Sequence, residues 1–212
     1  MKVFLEKIKK YKLSKRPICH QAGMTYVELI VVLSIFSIFS GIAIFNYKDF
    51  QVKVDIKNLA NDIALQIVEA QKSALNGKLP PPSQQSLDPE WKPSYGIYFD
   101  TDLPTSFVYF VDTFANKEFD TSSIPCNNEC LDVINIIKGN SIAGIQYFDS
   151  TGDHGVSGDF SITFTRPDSG ATFVLNHSIL SDIDRVEIWV SSPGLATYSI
   201  ITIYPSGRVE IN

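Results

Sequence analysis

Residues 29–45 form a run that is apolar except for three serines and one glycine. A helix of this length is near the lower limit for spanning the roughly 30 Å hydrocarbon core of a bilayer. One carboxylate, Glu28, stands directly before the run. An ionisable side chain at membrane depth is costly, so by default it marks a functional position. The segment therefore predicts an apolar helix with one residue that needs a partner.

The helical pattern continues beyond the apolar run as an amphipathic stripe. Apolar residues recur at spacings of three and four from Val52 to Ala74, and charged residues occupy the other faces. No proline interrupts residues 24–79, whereas Gly77 and the prolines at 80–82 predict the C-terminal stop. We expect one helix over residues 24–76, about 80 Å long. Its first half must lie in lipid or in an assembly.

Charge is distributed unevenly along the chain. Residues 1–23 carry a net charge of +6, and the remainder carries −11. The positive-inside rule places a basic end of this kind in the cytoplasm and the acidic body across the membrane. An acidic body also argues against nonspecific nucleic-acid binding, because such binding depends on Lys and Arg side chains that neutralise phosphates.

The remainder of the chain alternates short β-rich runs with turn signals. The residues from Pro80 to Pro93 read as a surface connection. The strands are expected at 95–100, 106–112, 131–138, 144–148, 160–165, 171–175, 186–190, 199–204 and 208–211. Pro205, Ser206 and Gly207 predict a tight hairpin turn. The predicted fold class is α+β, a long N-terminal helix with a membrane-spanning first half, packed on an antiparallel β-sheet domain. The predicted segments are 1–23 (basic leader), 24–46 (transmembrane or assembly helix), 47–76 (amphipathic helix) and 77–212 (β-rich head).

The chain has three cysteines, Cys19, Cys126 and Cys130. Removal of the leader leaves Cys126 and Cys130, which can close a short disulfide loop in an oxidising compartment. Free thiols are the main alternative, and a metal site lacks further ligands nearby. No cofactor is expected.

The motif with the most specific signal is the sequence from Gly23 to Leu29, Gly-Met-Thr-Tyr-Val-Glu-Leu, with basic residues before it and the apolar run after it. It resembles the type III signal of type IV pilins and type II secretion pseudopilins. The resemblance implies that a prepilin peptidase cuts between Gly23 and Met24 and N-methylates Met24. It also implies that Glu28 neutralises the amine of an adjacent subunit during assembly. The implied fold is pilin-like.

The resemblance implies partners and a location as well. The partners are other pilin or pseudopilin subunits, the prepilin peptidase and an inner-membrane assembly platform. Before assembly, the implied location is the cytoplasmic membrane, which the subunit crosses once with its N-terminus in the cytoplasm and its head outside. After assembly, the subunit is part of the pilus or pseudopilus. Met24 stands where the family most often has phenylalanine, the leader is long, and the proline that kinks major pilins is absent. These departures favour a minor or pseudopilin-like subunit over a major pilin.

Weaker matches extend into the head. Residues 95–100 (Tyr-Gly-Ile-Tyr-Phe-Asp), 161–167 (Ser-Ile-Thr-Phe-Thr-Arg-Pro) and 203–209 (Ile-Tyr-Pro-Ser-Gly-Arg-Val) occur in an order similar to that of H-type minor pseudopilins and minor type IV pilins.

Other functions have less support. A competence-type pseudopilin in DNA uptake, an anchored extracellular ligand-binding module and a surface enzyme on a stalk are the alternatives. The chain has no phosphate loop, nucleophile elbow or His-Glu helix motif, so it is expected not to be an enzyme. His154 is expected in a solvated turn. A calcium site at Asp149, Asp153 and Asp159 does not fit EF-hand spacing.

Overall fold

The computed structural model describes residues 23–86, 88, 90–120, 129–193 and 197–212. The chain divides into two compact units, Met1–Asn46 and Tyr47–Asn212. The only long helix in these described ranges is α1, Tyr26–Leu75. Its ends lie within two residues of the helix predicted over 24–76.

Each end of α1 has a local cause. At the start, the Thr25 hydroxyl accepts a hydrogen bond from the Glu28 backbone N–H at 3.3 Å, which makes Thr25 the N-cap. At the end, Gly77 takes a φ of +59°, and its N–H bonds to the Ala74 carbonyl. The N–H of Lys78 bonds to the Ser73 carbonyl, which completes a Schellman motif.

The β-rich part forms two antiparallel sheets, where the sequence predicted a single β-sheet domain. In chain order the strands are β1 (Ser94–Asp100), β2 (Ser106–Asp112), β3 (Cys130–Asn135), β4 (Ser141–Asp149), β5 (Gly152–Gly155), β6 (Asp159–Phe164), β7 (Ala171–Leu175), β8 (Ser178–Ile179), β9 (Ile183–Ser191), β10 (Tyr198–Ile203) and β11 (Val209–Ile211). One sheet has the order β3-β2-β1-β6-β7-β8, and the other has the order β11-β10-β9-β4-β5. A short 3-10 helix, Pro82–Gln84, lies between α1 and β1. The coarse α+β prediction is confirmed.

All nine predicted strands are present, but β5 and β8 were missed. His154 was expected in a solvated turn and instead lies on β5, where it pairs with Tyr147 of β4 and stacks on its ring at 4.8 Å. The tight turn at residues 205–207 is confirmed, because the Gly207 N–H bonds to the Tyr204 carbonyl at 2.8 Å.

The main core of Tyr47–Asn212 is built from three sources. Apolar side chains of α1 from Ile56 to Ala74 share one buried cluster with side chains of both sheets. Along β1, Tyr95, Ile97 and Phe99 belong to this core. Because side chains alternate along a strand, Gly96 and Tyr98 face the other side of the sheet.

A second, smaller cluster lies on that other side. It consists of Tyr98, Phe110, Phe119 and Cys130. Gly96 is paired with Phe110 across the sheet, and a Cβ at position 96 would lie 2.6 Å from the Phe110 ring and 2.6 Å from the Ile162 carbonyl. The glycine of the Tyr-Gly-Ile strand is therefore required for packing.

Candidate processing and assembly segment

The residues around the predicted cleavage position lie outside the helix. Gly23, Met24 and Thr25 have no helical or strand structure, and all three are exposed. Met24 is 62% exposed. The Thr25 cap starts α1 at Tyr26, so two residues, Met24 and Thr25, separate the bond after Gly23 from the first helical residue. The predicted scissile bond is thus in an accessible, non-helical stretch.

Glu28 is the third residue of α1. A carboxylate in the first turn interacts favourably with the positive end of the helix dipole. Thr25 and Glu28 also have the Thr-x-x-Glu spacing of a capping box. This helix-start signal was not among the predictions from the sequence. Glu28 is exposed, and among the residues that the structure describes its carboxylate has no ion-pair partner.

The helix after Glu28 presents apolar side chains all round. The segment Tyr26–Ile44 has a mean hydropathy of 2.4, and none of it is buried. By length and composition it could cross a membrane. The hydroxyls of Ser34 and Ser37 donate to the carbonyls of Val31 and Leu33, each at 2.8 Å. These polar groups are therefore satisfied within the helix, as a hydrocarbon environment requires.

In the head, two fully buried carboxylates hold the loop that follows β2. Asp112 accepts hydrogen bonds from the N–H groups of Asn116 and Lys117, at 3.2 and 2.9 Å. Glu129 accepts from the N–H groups of Thr113 and Asp120, at 2.8 and 2.9 Å. Burial raises the pKa of both carboxyls, although these hydrogen bonds act in the opposite direction. The carboxylates have a structural role here, because they satisfy the loop backbone.

Further contacts fix the same loop on the six-stranded sheet. The Thr163 hydroxyl donates to the Lys117 carbonyl at 2.7 Å. At the surface, the His177 Nδ1 lies 2.9 Å from a Glu118 carboxylate oxygen. Hydrogen bonding to Glu118 raises the pKa of His177. This arrangement was not predicted, because its residues are far apart in the chain.

Of the two cysteines in the predicted disulfide, the structure describes only Cys130. Cys130 is disulfide-bonded. Cys126 lies outside the described residues, as does Cys19, so the pairing of Cys126 with Cys130 stays a prediction.

Two of the three aspartates weighed as calcium ligands, Asp149 and Asp159, accept hydrogen bonds from different groups, and the third, Asp153, lies on β5. Asp149 accepts from the hydroxyl and the N–H of Thr151, which lower the pKa of Asp149 to about 2 and close the turn before β5. Asp159 accepts from the Tyr98 hydroxyl at 2.6 Å. Within the described ranges, no group of three or more His, Cys, Asp or Glu residues could hold a metal ion.

No family model, curated protein or solved structure matches this chain. The fold is α+β, with an apolar N-terminal helix and two antiparallel sheets.

Proposed function

We propose that this chain is a structural subunit, of the minor class, of a type IV pilus or a type II secretion-like pseudopilus. A prepilin peptidase cuts between Gly23 and Met24 and methylates the new amino terminus, and the N-terminal helix then packs into the filament. One observation carries the proposal. The exposed, non-helical residues 23–25 are followed directly by a capped apolar helix, and the carboxylate in its first turn has no ion-pair partner in the part of the chain that the structure describes.

The cleavage step depends on the backbone of residues 23–25. A protease binds its substrate as an extended chain, and a helical peptide bond would have to unwind first. Gly23 has no side chain that could obstruct the protease. The Thr25 cap keeps the bond between Gly23 and Met24 outside α1. The chain is in this proposal the substrate of an enzyme and is not itself an enzyme.

The assembly step depends on Glu28. An unpaired carboxylate in lipid is expensive, and pairing with the amino terminus of an adjacent subunit removes that cost. Such a pair forms only when the two helices have the correct axial register. The ion pair of Glu28 therefore stabilises one subunit against the next only when they are packed correctly.

The distribution of charge supports the proposed location. Before assembly the subunit is a single-pass protein of the cytoplasmic membrane, with residues 1–23 in the cytoplasm and the acidic head outside. The disulfide at Cys130 is consistent with an oxidising compartment for the head. The partners are other pilin or pseudopilin subunits, the prepilin peptidase and an inner-membrane platform.

The test separates processing from assembly. The Glu28→Gln variant keeps the size of the side chain but removes its charge, whereas Glu69→Gln makes the same change at an exposed position of α1. In a host with the complete machine, both variants should be cleaved. Filaments recovered by shearing should lose the Glu28→Gln subunit by more than about tenfold and keep the Glu69→Gln subunit. Normal incorporation of Glu28→Gln would exclude the proposed role of this carboxylate.

A further inference from the structure

Two flanks of α1 carry opposite charges, on either side of the stripe that enters the core. Asp55 and Asp62 are seven residues apart, about two turns, so they lie on one flank. Lys53 and Lys57 are four residues apart and lie together on the other flank. An α-helix turns by roughly 100° per residue, so Lys57 lies about 140° around the helix from Asp62. One chain therefore has an acidic and a basic surface that point in different directions.

The acidic flank borders a groove between α1 and residues 134–140, which we call the acidic groove. Its volume is about 450 Å³. Phe107 of β2 belongs to its lining and is buried, whereas two other lining residues, Leu65 and Ile137, are 62% and 68% exposed. Large aliphatic side chains that are exposed beside a groove are typical of a surface that contacts another protein.

The acidic groove contains one carboxylate without a cation. Asp55 pairs with Lys138 at 2.7 Å, so these two charges of the lining neutralise each other. Asp62 also lines the groove and is exposed, and no Lys, Arg or His of the described residues pairs with it. A fitting partner therefore offers a cation together with an apolar group.

The other flank of α1 offers this combination in the same chain. Lys53, Lys57 and Tyr198 line a depression where α1 meets β10 and β11, and we call these three residues the basic surface. Both lysines are exposed, and Tyr198 is 58% exposed. Across the ranges that the structure covers, neither lysine has an ion-pair partner. The basic surface thus complements the acidic groove in charge and in apolar character.

The positions of the two surfaces determine the kind of contact that they can form. A copy whose basic surface lies in the acidic groove of a neighbour keeps its own groove open for a further copy. Such a head-to-tail contact can repeat along a filament. Exposed ion pairs are individually weak, so the contact needs copies that a membrane or a filament already holds side by side.

We propose that the acidic groove of one copy binds the basic surface of a second copy of this chain. The lysines of the basic surface lie at Asp62, and the Tyr198 ring packs against Leu65 and Ile137. This inference rests on the subunit role proposed above, because that role brings the copies together.

Carbodiimide cross-linking can test the contact, because it joins a lysine amine to a carboxylate only where the two groups touch. Two full-length copies with different C-terminal tags are produced together in a host with the complete machine. Membranes and sheared filaments are treated, and species that carry both tags are analysed by mass spectrometry. Peptides that join Lys53 or Lys57 to Asp62 are expected. Lys78, an exposed lysine outside the basic surface, should not be joined to Asp62.

The same preparation distinguishes two kinds of failure. A chain that is cut after Gly23 but gives no such peptide, or whose lysines are joined to a different subunit, would overturn this inference alone. An uncut chain would overturn the proposed subunit role and this inference with it.

Two leucine variants show whether the cross-link depends on the groove, because both leave the joined residues unchanged. Leu65→Arg adds a cation that competes for Asp62 and repels the incoming lysines, so the cross-link should fall at least about fivefold. Leu79→Arg makes the same change at a position that is 67% exposed and outside the groove, and it should leave the cross-link as in wild type. Both variants should keep the unfolding temperature of wild type. Equal cross-linking in the two variants would overturn the inference.

Discussion

The hydroxyl of Thr25 accepts a hydrogen bond from the backbone N–H of Glu28 at 3.3 Å, which fixes the start of α1 at Tyr26. This contact connects the two proposed steps of the function. It keeps the bond between Gly23 and Met24 outside the helix, where a protease can reach it. It also holds Glu28 in the first turn, where the proposed contact with an adjacent amino terminus is made.

The first prediction concerns this cap. Thr25→Ala removes the side-chain acceptor and should destabilise the first turn of α1 by about 1 kcal/mol. Hydrogen exchange of the amides of residues 27–29 in detergent micelles should become several-fold faster. Thr25→Ser keeps the hydroxyl and should exchange like wild type. Equal exchange in the alanine and serine variants would show that the hydroxyl does not cap the helix.

The second prediction concerns the glycine of β1. In Gly96→Ala the new methyl group meets the Phe110 ring and the Ile162 carbonyl, so the head should lose at least about 1–3 kcal/mol of stability. Gly155→Ala is the matched control, because it adds a methyl group to an open position on β5. Urea unfolding of the two variants measures the difference. Similar stability of both would contradict the packing described for Gly96.

The third prediction concerns pH and the buried carboxyls of Asp112 and Glu129. The pKa of each is raised in the folded state, so each carboxyl binds its proton more tightly in the folded chain than in the unfolded one. The tighter binding of these protons stabilises the folded chain. This stabilisation is complete below the unfolded pKa values, near pH 4, and is lost as the pH rises through the higher pKa values of the folded chain.

Urea unfolding at about pH 4.5 and pH 7 can measure this effect. The free energy of unfolding of wild type, relative to the Asp112→Asn, Glu129→Gln double variant, should be larger at the lower pH. Comparison with the double variant removes the effect of other groups, including Asp149, whose pKa is shifted in the opposite direction. A difference that does not change with pH, or that grows toward pH 7, would contradict the raised pKa values.

The fourth prediction concerns His177 and Glu118. The hydrogen bond between them raises the pKa of His177 above its ordinary value of 6.5. This pair should therefore stabilise the loop below about pH 6.5 and lose its effect as the pH rises through the folded value. An NMR titration of the His177 ring should show the raised pKa, and Glu118→Gln should lower it. An unchanged pKa in the variant would exclude Glu118 as its cause.

Much of the fold could be predicted because its signals are local. The absence of proline from residues 24–79 and the glycine at position 77 predicted the extent of α1. Short β-rich runs between turn signals predicted nine strands. The strands β5 and β8 were missed because they are short, and Gly152–Gly155 has no β-forming residue. They exist because β4 and β7 provide a neighbouring edge. The division into two sheets was also missed, because the residue pattern within a strand does not identify the strands that pair with it.

The candidate site could be predicted only where its residues are contiguous. The segment from Gly23 to Glu28 carries its signal in six residues. Asp112 and Glu129, by contrast, look like ordinary solvated acids in the sequence. Their burial depends on residues 113–120, which contact Ser161 and Thr163 of the six-stranded sheet, far away in the sequence.

Every later step of the proposed function requires cleavage between Gly23 and Met24, which intact mass measurement can detect. The full-length protein is co-expressed with an active prepilin peptidase and, as a control, with a catalytically inactive one. With the active enzyme the product should begin at N-methylated Met24, and with the inactive enzyme the chain should stay uncut. A bulky residue in place of Gly23 should block cleavage. A chain that still begins at Met1 in the presence of the active enzyme would exclude the proposed processing.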